Sequence, residues 1–205
     1  MKFNELSKRA QQRAIEDAPQ QLGEWFDGQW VTDEWKDILI ALGFWDIQIH
    51  WSGFCSQGDG ACFTGSWCAS WVEPNRLAYY ISPNDPDKYG DFAQRMNGLC
   101  SLMVAAADDG GDSLGETIED ELLPVVTHAK LAHVGRYNHE NSIDFEVEPY
   151  GNDAVRQEFI DWCKDLMRMI YKDLEETYEY ETSEESARDY IAGNELDFDE
   201  DGDTI

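Results

Sequence analysis

Positive charge is scarce in this chain of 205 residues, which holds 15 Lys and Arg against 43 Asp and Glu. The formal net charge is -28 at pH 7 and the sequence pI is about 4.1. Proteins that bind DNA or RNA need cationic side chains to release counterions from the phosphates, so this balance argues against direct nucleic-acid binding. A strongly anionic surface instead favours solubility, repulsion of nucleic acid, or attraction of a basic partner.

Long apolar runs and paired cysteines are also missing. No stretch approaches the roughly 20 consecutive apolar residues that span a bilayer, and residues 1–18 are polar, unlike a signal peptide. The five cysteines show no paired CxxC spacing, which is typical of reduced thiols in the cytosol. We therefore expect a cytoplasmic protein that does not bind a membrane.

Aromatic residues, by contrast, are plentiful, at 13% of the chain with eight Trp. This composition favours a packed core, because disordered acidic chains are poor in aromatics. We expect one α+β domain over residues 1–193, followed by an acidic C-terminal tail over residues 194–205. One aromatic cluster is predicted to be mostly core, with Trp25 and Trp30 its most exposed members; it comprises Trp25, Phe26, Trp30, Trp35, Phe44, Trp45 and Trp51.

Hydrophobic periodicity predicts an antiparallel sheet of about four strands covered by helices, with a long C-terminal helix before the tail. The predicted helices are residues 3–17, 32–42, 87–107 and 153–178, with short helices ending near residues 123 and 192. The predicted strands are residues 45–51 and 61–72 and a hairpin of residues 125–137 and 142–148. Thr32 and Thr182 are the expected helix N-caps, and Gly43 is expected to end the second helix.

The negative charge is concentrated toward the C-terminus, where residues 173–205 hold 14 carboxylates and the single base Arg188. The N-terminal helix and the residue before it form the only cationic stretch of the sequence, which we expect to dock on this acidic region; its bases are Lys2, Lys8, Arg9 and Arg13. The candidate partner-binding surface consists of carboxylates at helical spacing or beside a glycine-rich loop: Asp108, Asp109, Asp112, Glu116, Glu119, Asp120, Asp173, Glu175, Glu176, Glu179, Glu181, Glu184 and Glu185.

A glycine-rich segment, residues 53–60, could be a phosphate-binding loop or a tight connection between strands. It lacks the Lys and the following Ser or Thr of a P-loop, and the anionic surroundings disfavour phosphate. The sequence therefore favours a structural loop in which Asp59 bonds to nearby amides and three glycines supply positive φ angles. Those glycines are Gly53, Gly58 and Gly60.

No catalytic or metal-binding constellation stands out in the sequence. The candidate zinc ligands do not have the paired short spacing of structural zinc sites; they are Cys55, Cys62, Cys68 and His50. No nucleophile or paired carboxylate stands at a telling spacing from the remaining histidines, His128, His133 and His139. Residues 197–203 resemble the first half of an EF-hand loop but lack its twelfth-position Glu, which leaves only weak divalent-ion binding open. We expect a non-enzyme without a cofactor.

Residues 51–65, with the sequence WSGFCSQGDGACFTG, resemble a segment of a family of uncharacterised bacteriophage and prophage proteins. In that family an aromatic residue is followed by SGFWSQGDGA-x-F, and Cys55 stands here where Trp is more usual. Residues 3–12, 136–143, 171–180 and 194–202 are similar to that family too. Some of its members carry an antitoxin label. The resemblance implies a phage accessory protein in the cytoplasm of an infected bacterial host, and it supplies no catalytic residue.

Two hypotheses for function remain. In the first, the chain is a phage-encoded inhibitor that binds a basic host protein by DNA mimicry, the partner being a nuclease, CRISPR effector, restriction enzyme or polymerase. In the second, it is an accessory protein that binds a toxin-like partner or a small ligand, and its acidity serves solubility. The sequence leaves the oligomeric state open, a homodimer included.

Overall fold

The computed structural model describes residues 1–73, 76, 125–150 and 153–205. Within these residues the fold is α+β, as the sequence predicts. The described residues form four α-helices: α1 Lys8–Trp25, α2 Gln29–Ala41, α3 Asp153–Glu181 and α4 Glu184–Gly193. The four strands are β1 Leu42–Ser52, β2 Gly60–Val72, β3 Val125–His133 and β4 Ile143–Tyr150. The helices predicted over 87–107 and up to residue 123 lie outside the described residues.

The strands form one antiparallel sheet in the order β1-β2-β3-β4, with Trp51 opposite Ala61 and Ala129 opposite Val147. Strand β4 shows the predicted alternation, because Ile143 and Phe145 are buried while Asp144, Glu146 and Glu148 face solvent. This pattern is that of a strand with one face on the core and one in water.

The core lies where the aromatic side chains of β1 and β2 pack against α3. The rings of Phe44 and Trp162 stack with their centroids 5.9 Å apart, and those of Trp67 and Phe159 lie 4.8 Å apart. The indole N–H of Trp67 is buried and donates to the Leu42 carbonyl at 2.7 Å. Aromatic pairs of this kind combine a large buried apolar area with a preferred ring geometry.

The chain divides into two compact units. Unit 1 comprises Met1–Gln29 and Lys172–Ile205, and unit 2 comprises Trp30–Tyr171. Unit 1 has its own buried core, drawn from α1, α4 and the C-terminal segment: Leu6, Ala10, Ala14, Ile15, Ala18, Ala187, Ile191 and Phe198. The sheet belongs to unit 2, and residues 172–181 of α3 belong to unit 1.

Three predicted helix starts are wrong, each because a different side chain satisfies the first amide groups. Helix α1 begins at Lys8 rather than residue 3, since the Ser7 hydroxyl accepts from the Ala10 amide, and the helix continues through Pro19 to Trp25. Helix α2 begins at Gln29, whose amide donates to Asp27, so Thr32 lies buried inside it. Helix α4 is capped by Ser183, while the Thr182 hydroxyl donates to the Tyr178 carbonyl.

The end of α2 follows the predicted chemistry. The helix stops at Ala41, and Gly43 has a φ of 88°. A Cβ at Gly43 would lie 2.7 Å from the carbonyl oxygen of Cys68, so both the backbone conformation and the close approach of β2 require glycine there.

Candidate functional site

The candidate acidic surface divides between residues that the structure describes and residues that it does not. Its first six carboxylates, at positions 108, 109, 112, 116, 119 and 120, lie outside the described residues. The other seven lie in unit 1, at the end of α3 and the start of α4. Unit 1 holds 19 Asp and Glu against six Lys and Arg, a formal net charge of -13.

The end of α3 is held in place by its apolar side. Leu174 is fully buried, and the Tyr178 ring packs edge-on against Phe26 with 5.4 Å between the centroids. A Cβ at Gly23 of α1 would lie 3.0 Å from the Tyr178 hydroxyl oxygen, so α1 approaches this ring closely. These contacts fix which side of α3 is buried and therefore which side carries the charge.

Glu176 and Glu179 lie on the side of α3 away from Leu174, and Glu175 lies between them and Tyr178 around the helix axis. At 3.6 residues per turn, these three carboxylates fall within about 100° of one another around the helix axis. Glu176 and Glu179 are exposed and Glu175 is half-buried. Lys172 pairs with Glu176 at 3.4 Å, whereas Glu175 and Glu179 form no ion pair within the part of the chain that the structure describes.

The remaining candidates lie beside this face or on α4. Asp173 and Glu181 are half-buried, while Glu184 and Glu185 are exposed in the first turn of α4. Carboxylates in a first turn are stabilised by the partial positive charge of the helix N-terminus. Arg188 pairs with Glu184 one turn later, so this base reduces the charge of α4 locally.

The C-terminal segment packs onto the N-terminal segment within unit 1. The Met1 ammonium donates to the Phe198 carbonyl at 2.7 Å, and the Phe198 side chain is only 1% exposed. Lys2 pairs with Asp197 at 3.2 Å and Arg13 with Asp203 at 2.7 Å. For these two bases the predicted docking on the acidic region is confirmed; Lys8 and Arg9 are exposed.

The EF-hand-like residues form a tight turn of their own. The Asp199 carboxylate accepts hydrogen bonds from the Asp201 and Asp203 amides, both at 2.9 Å. The backbone hydrogen bond from Asp203 is the main cause that lowers the Asp199 pKa. Three of the five carboxylates in residues 197–203 are thus engaged, Asp199 within the turn and Asp197 and Asp203 with Lys2 and Arg13. No group of three or more metal-binding side chains occurs among the described residues.

The glycine-rich connection of unit 2 is organised around Asp59. Its carboxylate accepts from the Cys55 amide at 2.8 Å and from the Ser56 amide. Of the three glycines only Gly53 has a positive φ, of 30°. Gly58 and Gly60 are needed for another reason: an added Cβ would lie 2.5 Å from the Tyr137 ring and 2.6 Å from the His139 Cβ. The connection therefore packs closely against the β3–β4 turn, which leaves no room for a side chain at Gly58 or Gly60.

Two contacts on the sheet involve histidines, one between His50 and His133 and one between Cys68 and His128. The rings of His50 and His133 are 5.5 Å apart, and burial, with a smaller effect of His133, lowers the His50 pKa. The Cys68 thiol lies 3.5 Å from Nε2 of His128. Burial raises the pKa of Cys62 to about 11 and raises that of Cys163 well above its usual range. Raised thiol pKa values are the opposite of what a nucleophilic cysteine needs.

An aromatic groove in unit 2 is a candidate site that the sequence did not reveal. It has a volume of about 530 Å³, and its walls include Ile40, Trp45, Asp46, Ile47, Trp71 and Val72. Trp71 is 56% exposed, and its ring lies 4.6 Å from that of Trp45 at an angle of 41°. Within the described residues, the pairing of β2 with β3 runs from Gly65 to Cys68, three residues before Trp71. The alternation of the strand alone did not predict the exposure of Trp71.

The other aromatic predictions are confirmed in part. Trp25 and Trp30 are 63% and 57% exposed, as expected, and Trp35 and Phe44 are buried. The rings of Trp51 and Phe54 stack 5.6 Å apart beside the glycine-rich connection. In the residues that the structure describes, no helix is long and apolar enough to cross a membrane.

Comparisons with known proteins identify a family without assigning a chemistry. Residues 25–184 match the family model described as a domain of unknown function, DUF8835. No curated protein and no solved structure matches the chain. The matched residues include the glycine-rich connection, the aromatic groove and the carboxylates on α3. Because this match covers most of the sequence, the chain belongs to the DUF8835 family.

Proposed function

We propose that this chain is a bacteriophage-encoded acidic inhibitor, which binds a basic nucleic-acid-binding protein of the bacterial host by mimicking DNA. The partner class is a nuclease, CRISPR effector, restriction enzyme or polymerase. The observation that carries the proposal is the face of α3 with Glu175, Glu176 and Glu179, on a helix held by buried Leu174 and by the packing of Tyr178 on Phe26. The resemblance of residues 51–65 to phage and prophage proteins supports the phage origin.

The charge density of this face is comparable with that of DNA. Helix rise places Glu175 and Glu179 roughly 6 Å apart along the axis, with Glu176 between them. Duplex DNA carries one charge per ~1.7 Å of axis, or per ~3.4 Å for each strand. Three carboxylates in about 6 Å therefore have a charge spacing similar to that of one DNA strand over a short distance. The other four described candidates, on α3 and α4, add negative charge beside them.

Preorganisation supports the proposal as well. Charges on flexible segments lose conformational freedom when a partner binds, whereas charges on a packed helix have lost most of it already. The net charge of -13 on unit 1 also steers a basic partner toward it by long-range attraction.

The test is capture of host proteins by the purified full chain, followed by binding measurements on the captured protein at rising salt. We expect a basic nucleic-acid-binding protein whose affinity falls steeply with salt and whose nucleic acid competes for the same site. A partner without affinity for nucleic acid, or a complex indifferent to salt, contradicts the proposal.

Four substitutions in one chain test the charged end of α3: Glu175→Gln, Glu176→Gln and Glu179→Gln on this face, and Glu181→Gln outside it. We expect about ten-fold weaker binding or more, since each exposed charge pair is worth roughly 0.2–1 kcal/mol. The matched control carries four Glu→Gln changes at exposed positions of unit 2, namely 34, 146, 148 and 158. Equal effects of the two sets would show that only net charge matters, as the solubility hypothesis holds.

A further inference from the structure

The groove of unit 2 presents an indole surface to solvent. Trp71 and Trp45 pack together, and more than half of Trp71 remains exposed. Exposed Trp is costly in contact with water, and in binding sites it supplies a large, rigid face that attracts cations. Ile40, itself 40% exposed, and Val72 complete an apolar wall beside the two rings.

The charged groups around the groove are net negative. Lys36, Asp46 and Glu73 line it. The Lys36 ammonium is bonded to Asp33 at 2.9 Å. Arg76 pairs with Asp37 at 3.2 Å and with Glu73 at 3.6 Å. Among the described residues, the charged lining groups and their ion-pair partners comprise four carboxylates and two bases, and Asp46 is the carboxylate of this set without an ion pair.

The position of Asp46 is imposed by an irregularity in β1. The register between β1 and β2 shifts between Trp45 and Gln48, and Asp46 has a φ of 55°. A non-glycine residue in the left-handed region costs roughly 1–2 kcal/mol. Bulges of this kind redirect side chains and occur often beside functional sites. Here the bulge sets an exposed carboxylate directly after Trp45.

We propose that this groove binds an arginine side chain of the basic partner. The planar guanidinium stacks on an indole face, as arginine does on tryptophan, and its charge is met by Asp46. The apolar stem of the arginine lies against Ile40 and Val72. A volume of about 530 Å³ accommodates such a side chain with its adjacent backbone. The inference rests on the proposed function only in that a basic protein supplies the arginine.

The experiment titrates the full chain with N-acetyl-arginine methylamide and follows the indole N–H signals by NMR, assigned with Trp→Phe variants. N-acetyl-citrulline methylamide is the control, because it has nearly the same shape without the charge. We expect the Trp71 and Trp45 signals to shift with the arginine compound and to shift little with citrulline. Equal shifts with both compounds, or shifts confined to other tryptophans, would overturn the inference.

Two variants locate the interaction. Trp71→Leu is expected to weaken binding by about 3- to 30-fold, the range of one cation–π contact. Asp46→Asn keeps a residue that tolerates the left-handed conformation and is expected to weaken binding by roughly two- to five-fold. Trp30→Leu, at another exposed tryptophan, is the control and should leave the affinity unchanged. Unchanged affinity in both groove variants contradicts the inference.

The outcome separates this inference from the proposed function. A partner complex weakened by the α3 substitutions but not by Trp71→Leu or Asp46→Asn supports mimicry and overturns the arginine site. Arginine binding at the groove, with a partner complex insensitive to the α3 substitutions, supports the groove and overturns mimicry by that helix.

Discussion

At the scale of single residues, the cysteines show how burial decides thiol chemistry. Cys55 is exposed in the glycine-rich connection, whereas Cys62 and Cys163 are fully buried. Burial disfavours the thiolate, and a pKa of about 11 for Cys62 lies two units above the ordinary value of 9.0. Well below pH 9 this lowers the thiolate fraction of Cys62 on the order of 100-fold relative to a free thiol.

We therefore predict that iodoacetamide at mildly alkaline pH alkylates Cys55 first. Labelling of Cys62 and Cys163 should occur only as fast as the protein unfolds, since the thiolate is the reactive form and both sulfurs are covered. Peptide mapping by mass spectrometry at successive times measures each site separately. In urea the three sites should react alike, which is the control. Labelling of Cys62 in the native chain at the rate of Cys55 would contradict the assigned burial.

At this scale the sequence predicts some features of the structure and misses others, for physical reasons. The solvent exposure of Trp25 and Trp30 could be predicted, and so could the docking of Lys2 and Arg13, because composition and charge act over long distances. The caps at Ser7 and Ser183 were missed, since neighbouring Ser and Thr have similar capping ability and tertiary contacts choose between them. The backbone angle of Asp46 left no trace in the sequence, because it arises from pairing with β2.

At the scale of elements, Gly202 is where the C-terminal segment meets α1. Its φ is 95°, and an added Cβ would overlap the carbonyl group of Ala10. The same residue donates its amide to the Asp199 carbonyl within the acidic turn. Backbone conformation and close approach thus both require glycine, and neither can relax without moving α1 or the turn.

Gly202→Ala is accordingly expected to lower the free energy of unfolding by about 1–2 kcal/mol or more. Gly193→Ala is the matched control, because no atom lies within 4 Å of the Cβ it would add and the residue ends α4. Its effect should be within about 1 kcal/mol and stabilising. Urea unfolding followed by circular dichroism compares the two. Equal stability of both variants would show that the packing of Gly202 on Ala10 is not required.

The elements themselves were largely predictable. The four described strands, the antiparallel pairing and the 29-residue helix α3 follow from periods of two and 3.6 in the apolar residues. Periodicity does not show partners that are distant in sequence, however. The segment 194–205 looks like a tail by composition, yet Phe198 is buried in the core of unit 1. The acidic composition of this segment predicts a tail, but the burial of its single Phe side chain, Phe198, holds the segment in the core of unit 1.

At the scale of the whole molecule, like charges dominate. With 43 acidic and 15 basic side chains, repulsion within the folded chain exceeds the attraction of its surface ion pairs, which are individually weak. Salt screens both the repulsion between like charges and the attraction within ion pairs, and the larger of the two decides whether salt stabilises or destabilises the folded protein. Salt should therefore stabilise this protein.

We predict that the midpoint of thermal unfolding rises as NaCl increases from about 20 mM to about 500 mM, which shortens the screening length several-fold. Each kcal/mol of relieved repulsion corresponds to about 2–4 °C for a chain of this size. Differential scanning calorimetry measures the shift. The variant with four Glu→Gln changes on α3 should respond less steeply to salt. A midpoint that is flat or falls with salt would show that the ion pairs outweigh the repulsion.

Unit 1 is built from two segments that are distant in sequence, and this affects how it folds during synthesis. Helix α1 leaves the ribosome early, but its buried partners on α4 and Phe198 follow more than 150 residues later. Contacts so far apart in sequence close a large loop of chain, which is slow and costs conformational entropy. The sheet of unit 2 can begin to pair while synthesis continues, whereas α1 waits for α4 and Phe198. Order of synthesis thus makes unit 1 complete its core only after the strands of unit 2 have been synthesised.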